Sequence, residues 1–129
     1  MNGSRFLLDT NFVAAYFNQE QPIQQHLEKV TVFVPSVVIG ELYFGAYQSQ
    51  RVIDNIKRIR DFIEITTVLN CDAETGDHYG QIRLSLKVKG RPIPENDIWI
   101  AATVLRYNLT LVTRDEHFKE VDGLQLEKW

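Results

Sequence analysis

The sequence predicts an α/β fold, a three-layer α/β/α sandwich around a mostly parallel central sheet. Three observations carry that expectation. Short apolar runs rich in β-branched residues stand at 6–8, 30–34, 66–69 and 109–113, the composition of strands buried on both faces. Longer segments of helical periodicity separate them. Strands that alternate with helices feed a parallel sheet covered on both sides. A length of 129 residues suits one domain, taken as 1–129, with enough bulk for a hydrophobic core.

Each element has its own local reason. After the first strand, 10–17 is helical in pattern, and a second short helix is expected around 22–29. Ser36 suits the N-cap of a helix running to Tyr47. Val52, Ile56, Ile59 and Ile63 recur at helical spacing, and Asp54, Lys57, Arg58 and Asp61 offer charge pairs one turn apart. Asp72 can cap a long helix carrying Tyr79, Ile82, Leu86 and Val88. Pro94 suits a helix's first turn, and Ile98, Ala101, Ala102 and Leu105 mark the buried stripe that follows. Val38, Leu42, Tyr43, Phe44 and Tyr47 crowd one helix and are expected to complete the core.

Composition excludes several classes. No apolar run reaches the roughly 20 residues of a membrane span, and MNGSRFLL lacks the apolar core of a secretory signal. The single cysteine, Cys71, cannot form an internal disulfide, so a cytoplasmic protein is expected, with Cys71 as a buried apolar filler. A net charge of -3 argues against bulk attraction to nucleic acid, but setting four of the 17 acids aside against 14 Lys and Arg turns it to +1. Placement of charge therefore matters more than its sum.

Four acids stand in odd places. Asp9 ends the apolar run of FLLDTN, and Asp115 follows LTLVTR in the same manner a hundred residues later. Ligands of open parallel sheets gather beyond the carboxyl ends of the strands, where both would emerge, although an acid there is also an ordinary helix cap. Glu41 has Val37, Val38 and Phe44 as neighbours one turn away. A carboxylate in that setting loses hydration unless a cation, a donor or an escape to solvent compensates. Asp97 opens the apolar stretch NDIWIAA, where the helix dipole alone would also favour it. Carboxylates that cluster cannot all stay ionised without a cation. Oxygen ligands select Mg2+ or Mn2+, and neither the histidines nor Cys71 have zinc-like spacing.

LDTN at 8–11, the internal Glu41, NDIWIAA at 96–102 and TRDEHF at 113–118 together resemble the ordered motifs of PIN domains, in particular the VapC toxins of prokaryotic toxin–antitoxin pairs. The resemblance spans essentially the whole chain, and its specificity lies in all four motifs occurring in order. It implies a Mg2+- or Mn2+-dependent endoribonuclease in which Asp9, Glu41, Asp97 and Asp115 line one acidic site. Asp9 and Asp97 would be direct ligands, and Thr10, Asn11, Asn96 and Thr113 fall where polar residues orient that shell. His117 occupies a position that is variable in the family and sometimes acidic, and is taken here as a loop residue. The resemblance also implies a VapB-like antitoxin partner and a homodimer.

RNA must be held as well as cut. The stretch 82–93 has no acid but carries Arg83, Lys87, Lys89 and Arg91, which with Arg114 are the expected phosphate contacts. Competing readings fare less well. A phospho-accepting receiver needs an acceptor acid ending a central strand, and Asp54 lies in a charged helical pattern instead. A haloacid-dehalogenase-like phosphatase needs an acid where Asn11 stands. A catalytically silent module of the same fold, binding RNA or protein, remains the alternative.

Overall fold

The computed structural model describes residues 5–18 and 30–129. The helix expected around 22–29 lies outside the described residues. Five strands, β1 (Arg5–Leu8), β2 (Thr31–Pro35), β3 (Thr67–Leu69), β4 (Thr110–Val112) and β5 (Leu126–Glu127), form one sheet in the order β3-β2-β1-β4-β5. Every pairing is parallel. Leu7, Leu8, Leu111 and Val112 at its centre have no solvent exposure, as expected where helices cover both faces.

The helices are α1 (Thr10–Phe17), α2 (Ser36–Gln48), α3 (Val52–Ile65), α4 (Ala73–Lys89) and α5 (Glu95–Tyr107), with a 3-10 turn at Glu116–Glu120. Asp72 caps α4 as expected: its carboxylate accepts the Thr75 N–H at 2.9 Å, and the Thr75 hydroxyl closes a reciprocal box. The helix stops at Gly90, whose φ of 68° lies in the left-handed region that glycine enters without strain. Pro94 precedes α5 at the cap position, and Ile98, Ala101 and Ala102 are buried there. On α3 the buried face is Ile56, Ile59 and Phe62. Among the described residues, no helix is long and apolar enough to cross a membrane.

Several local expectations are corrected. Ser36 is the first helical residue and Pro35 the cap, because β2 runs into α2 without an intervening loop. Phe44 and Tyr47 do not complete the core but stand 65% and 66% exposed, since α2 buries only Val38 and Ala46. Val88 is 79% exposed, two residues past Leu86, the last buried residue of α4, and so on the opposite side of the helix. Cys71 is exposed rather than buried, as it sits in the short link between β3 and the cap of α4.

Candidate active site

The sheet order places β1 between β2 and β4, so the chain leaves β1 toward one side and later returns to its other side. The crevice at such a switch point, beyond the carboxyl ends of the strands, is where open α/β sheets bind ligands. Leu8 and Val112 are register partners, so the segments that follow, with Asp9 on one and Thr113 and Asp115 on the other, emerge together. The amino end of α5 and the middle of α2 complete the surround. Asp9, Thr10, Asn11, Glu41, Asn96, Asp97 and Asp115 line one cleft of about 380 Å3, with Pro94 and Glu95 at its border. Every acid and every orienting residue expected from the sequence is therefore gathered there, except Thr113, which is buried beneath it.

Each acid has a partner that fixes it. Asp9, 2% exposed, is at once the N-cap of α1 and a wall of the cleft. Its Oδ1 accepts the Phe12 N–H at 2.9 Å, and its Oδ2 accepts the Thr113 hydroxyl at 2.5 Å. Thr113 Oγ1 in turn accepts the Asp115 N–H at 3.0 Å. Glu41 Oε1 accepts the Thr10 hydroxyl at 2.7 Å, and Asp115 Oδ2 accepts from Asn11 Nδ2 at 3.1 Å. His117 Nε2 stands 2.7 Å from Asp97 Oδ2. His117 thus belongs to the 3-10 turn and touches the site, which corrects its expected standing as a loop bystander. Its place two residues after Asp115 was the available signal, but the 20-residue reach back to Asp97 was not visible in the sequence.

Electrostatics follow from that enclosure. Burial pushes the Asp9 carboxyl above its ordinary range; the Thr113 and Phe12 bonds oppose the shift, and the charges of Asp115 and Asp97 add to it. Burial likewise raises Asp97, with His117 opposing and the charges of Asp115 and Glu41 reinforcing. Such mutual repulsion is what a divalent cation relieves. Among the described residues, no three His, Cys, Asp or Glu side chains stand close enough for all to ligate one ion. The oxygen-only donor set fits Mg2+ in its usual form, held by one or two carboxylates and completed by water and phosphate oxygens.

The PIN domain model matches residues 6–124. The chain belongs to the PIN domain family. It is 34% identical over 132 residues to Ribonuclease VapC2 of Haemophilus influenzae, with 97% of this chain and 98% of the relative covered. It is 33% identical over 129 residues to the tRNA(fMet)-specific endonuclease VapC of Shigella flexneri, with the same shares covered. The crystal structure of DNA-bound VapBC from Salmonella typhimurium matches this PIN domain with a TM-score of 0.93 at 30% identity, over 97% of this chain and 98% of that one.

The basic residues divide. Arg83 and Lys87 line a second hollow that shares Glu95 with the acidic cleft. Arg91 is exposed just beyond the end of α4. Lys89, expected as a phosphate contact, is instead engaged: its ammonium donates to Asp122 Oδ1 at 2.6 Å and to the Glu120 carbonyl at 2.8 Å. The guanidinium of Arg114 lies 5.3 Å from the centroid of the Phe12 ring. Sequence reasoning missed Glu95, whose Oε1 accepts the Tyr79 hydroxyl at 2.7 Å. An acid in a helix's first turn gives no sign of such a partner.

Proposed function

We propose that this PIN domain is a Mg2+- or Mn2+-dependent endoribonuclease, the toxin of a toxin–antitoxin pair, acting in the cytoplasm. The observation that carries the reading is the convergence of Asp9, Glu41, Asp97 and Asp115, from four separate parts of the chain, on one cleft. Asp9 and Asp97 are the metal ligands in this reading, and Glu41 and Asp115 act directly or through water. A cation bound there lowers the pKa of a coordinated water and offsets charge on the phosphorus oxygens of an RNA phosphodiester.

The chain's own residues prepare that chemistry. Thr113 and the Phe12 N–H hold both oxygens of Asp9, and His117 holds one oxygen of Asp97, so neither carboxylate needs to reorganise during the reaction. Thr10 and Asn11 do the same for Glu41 and Asp115. Arg83, Lys87 and Arg91, with Arg114 beside Asp115, supply the positive charge that draws the RNA backbone toward a site which, unloaded, repels it. Water attacks phosphorus in line with the departing O3′, leaving 5′-phosphate and 3′-hydroxyl ends.

Relatives named as a ribonuclease and as a tRNA(fMet)-specific endonuclease support RNA as the substrate class. Solved VapBC structures support a VapB-like protein partner. The exposed apolar side chains Phe44, Tyr47, Leu84 and Val88, each more than 60% exposed, support surfaces for that partner and for a homodimer.

The test is cleavage of structured and unstructured RNA by the purified protein with Mg2+, with Mn2+ and with chelator, beside Asp97→Asn. Cleavage that chelator and the substitution both abolish is expected. Cleavage indifferent to both rules out the mechanism, and cleavage of DNA alone overturns the substrate. RNA binding without cleavage favours the silent module.

A further inference from the structure

The hollow that shares Glu95 with the acidic cleft encloses about 540 Å3, inside the ~300–1,000 Å3 range of ligand pockets. Its character is opposite to that of the cleft. Leu86, Pro92, Ile93 and Ile98 make it apolar, while Arg83 and Lys87 add two cations one helical turn apart on α4. Tyr79 joins the two regions. Its ring stacks on Trp99 with centroids 4.0 Å apart, its hydroxyl donates to Glu95 Oε1 at 2.7 Å, and the Tyr79 hydroxyl oxygen accepts from Arg83 Nη1 at 2.9 Å. Among the described residues Lys87 has no carboxylate partner, so its charge is left for a ligand.

We infer that this hollow is a nucleoside subsite for the RNA substrate. The base of the nucleotide next to the cleaved phosphate enters it, and Arg83 and Lys87 hold the adjoining phosphate. The inference rests on the ribonuclease reading of the neighbouring cleft. Single-stranded RNA alternates flat apolar bases with anionic phosphates, and proteins that grip it pair apolar or aromatic surfaces with basic side chains. Here both kinds of surface occur together, and the shared Glu95 sets the hollow beside the cleft that takes the scissile phosphate. Because Tyr79 and Arg83 are bonded to one another and to Glu95, a base seated there is positioned by groups already fixed before it arrives.

The experiment is a cycle between protein and RNA. A labelled RNA oligonucleotide, with Ca2+ in place of the catalytic cation, is titrated with the parent protein and with Ile93→Trp, which fills the hollow. The RNA is then rescanned with one base at a time removed. In the parent, one abasic position is expected to weaken binding by about 5- to 150-fold. Ile93→Trp is expected to weaken the intact RNA to a similar degree and to be indifferent to that same abasic position. Arg83→Gln with Lys87→Gln, at two exposed sites, checks the phosphate contacts without filling the core, and is expected to flatten the log–log salt slope by about 1.4. Additive effects at every position, or an unchanged salt slope, overturn the subsite. Cleavage by the parent in Mn2+ is read separately. Cleavage without coupling removes the subsite alone, coupling without cleavage keeps it and removes the ribonuclease reading, and no RNA binding at all removes both.

Discussion

Thr113→Val keeps the shape of a buried side chain and deletes one hydroxyl. That hydroxyl acts twice, donating to Asp9 Oδ2 at 2.5 Å and accepting the Asp115 N–H at 3.0 Å. A bond to a charged carboxylate contributes about 1.5–3 kcal/mol, and a neutral one about 0.5–1.5 kcal/mol. The two share an oxygen and are coupled, so a loss of about 2–4 kcal/mol in unfolding free energy is expected at pH 7. Burial already raises the Asp9 pKa and Thr113 opposes that rise, so valine raises it further. A raised folded-state pKa means the folded protein gains relative stability as pH falls and Asp9 takes up its proton. The difference between threonine and valine is therefore largest with Asp9 ionised, and narrows as pH drops through its folded pKa. Activity should fall about 10- to 100-fold, the usual effect of removing a group that orients a ligand. Thr113→Ser, which restores the hydroxyl and gives up one methyl, should recover most of both losses, within about 1 kcal/mol. The assays are urea unfolding of the chelated protein and RNA cleavage in saturating Mn2+. A valine variant as stable and as active as the parent would refute the reasoning.

Other outcomes follow from elsewhere in the structure. Phe62, 1% exposed and packed edge-on against Phe17 at 5.5 Å, should cost about 3–5 kcal/mol on truncation to alanine, read by urea unfolding. Arg106 and Thr75 hold the Asp72 carboxyl well below the usual carboxylate range; a depressed pKa stabilises above the unfolded value and ceases to do so on acidification. Asp72→Ala should accordingly lower Tm at neutral pH, and its gap from the parent should begin to narrow below about pH 4 and go on narrowing toward the much lower folded-state pKa. Cys71→Ser should shift stability by no more than about 0.5 kcal/mol, and the native Cys71 thiol should react with a disulfide reagent without unfolding, since it is exposed.

Much of the fold was legible because hydrophobic periodicity is a local signal. The first four strands and the four long helices after β2 fall within a residue or two of their expected positions. The fifth strand was not, since Leu126–Glu127 is too short to show alternation and exists through the Gln125 and Glu127 carbonyls that accept from Leu111 and Thr113. The acids were legible for a different reason: a carboxylate that interrupts an apolar pattern demands compensation, wherever its partner lies. The partners themselves were not. Asn11 reaches Asp115 across 104 residues, and Thr10 reaches Glu41 across 31, distances over which periodicity says nothing. Lys89 read as a free cation until the fold brought Asp122 beside it. Phe44 and Tyr47 read as core because counting apolar residues on α2 cannot tell which faces meet the sheet.

The pairing of β1 with β4 joins segments about a hundred residues apart at the cleft. A nascent polypeptide still on the ribosome, lacking everything past α5, would carry Asp9, Glu41 and Asp97 but neither Thr113 nor Asp115, and its first acid would keep only the Phe12 N–H of its two anchors. The acidic cleft is thereby completed only after β4 and the segment behind it have been made.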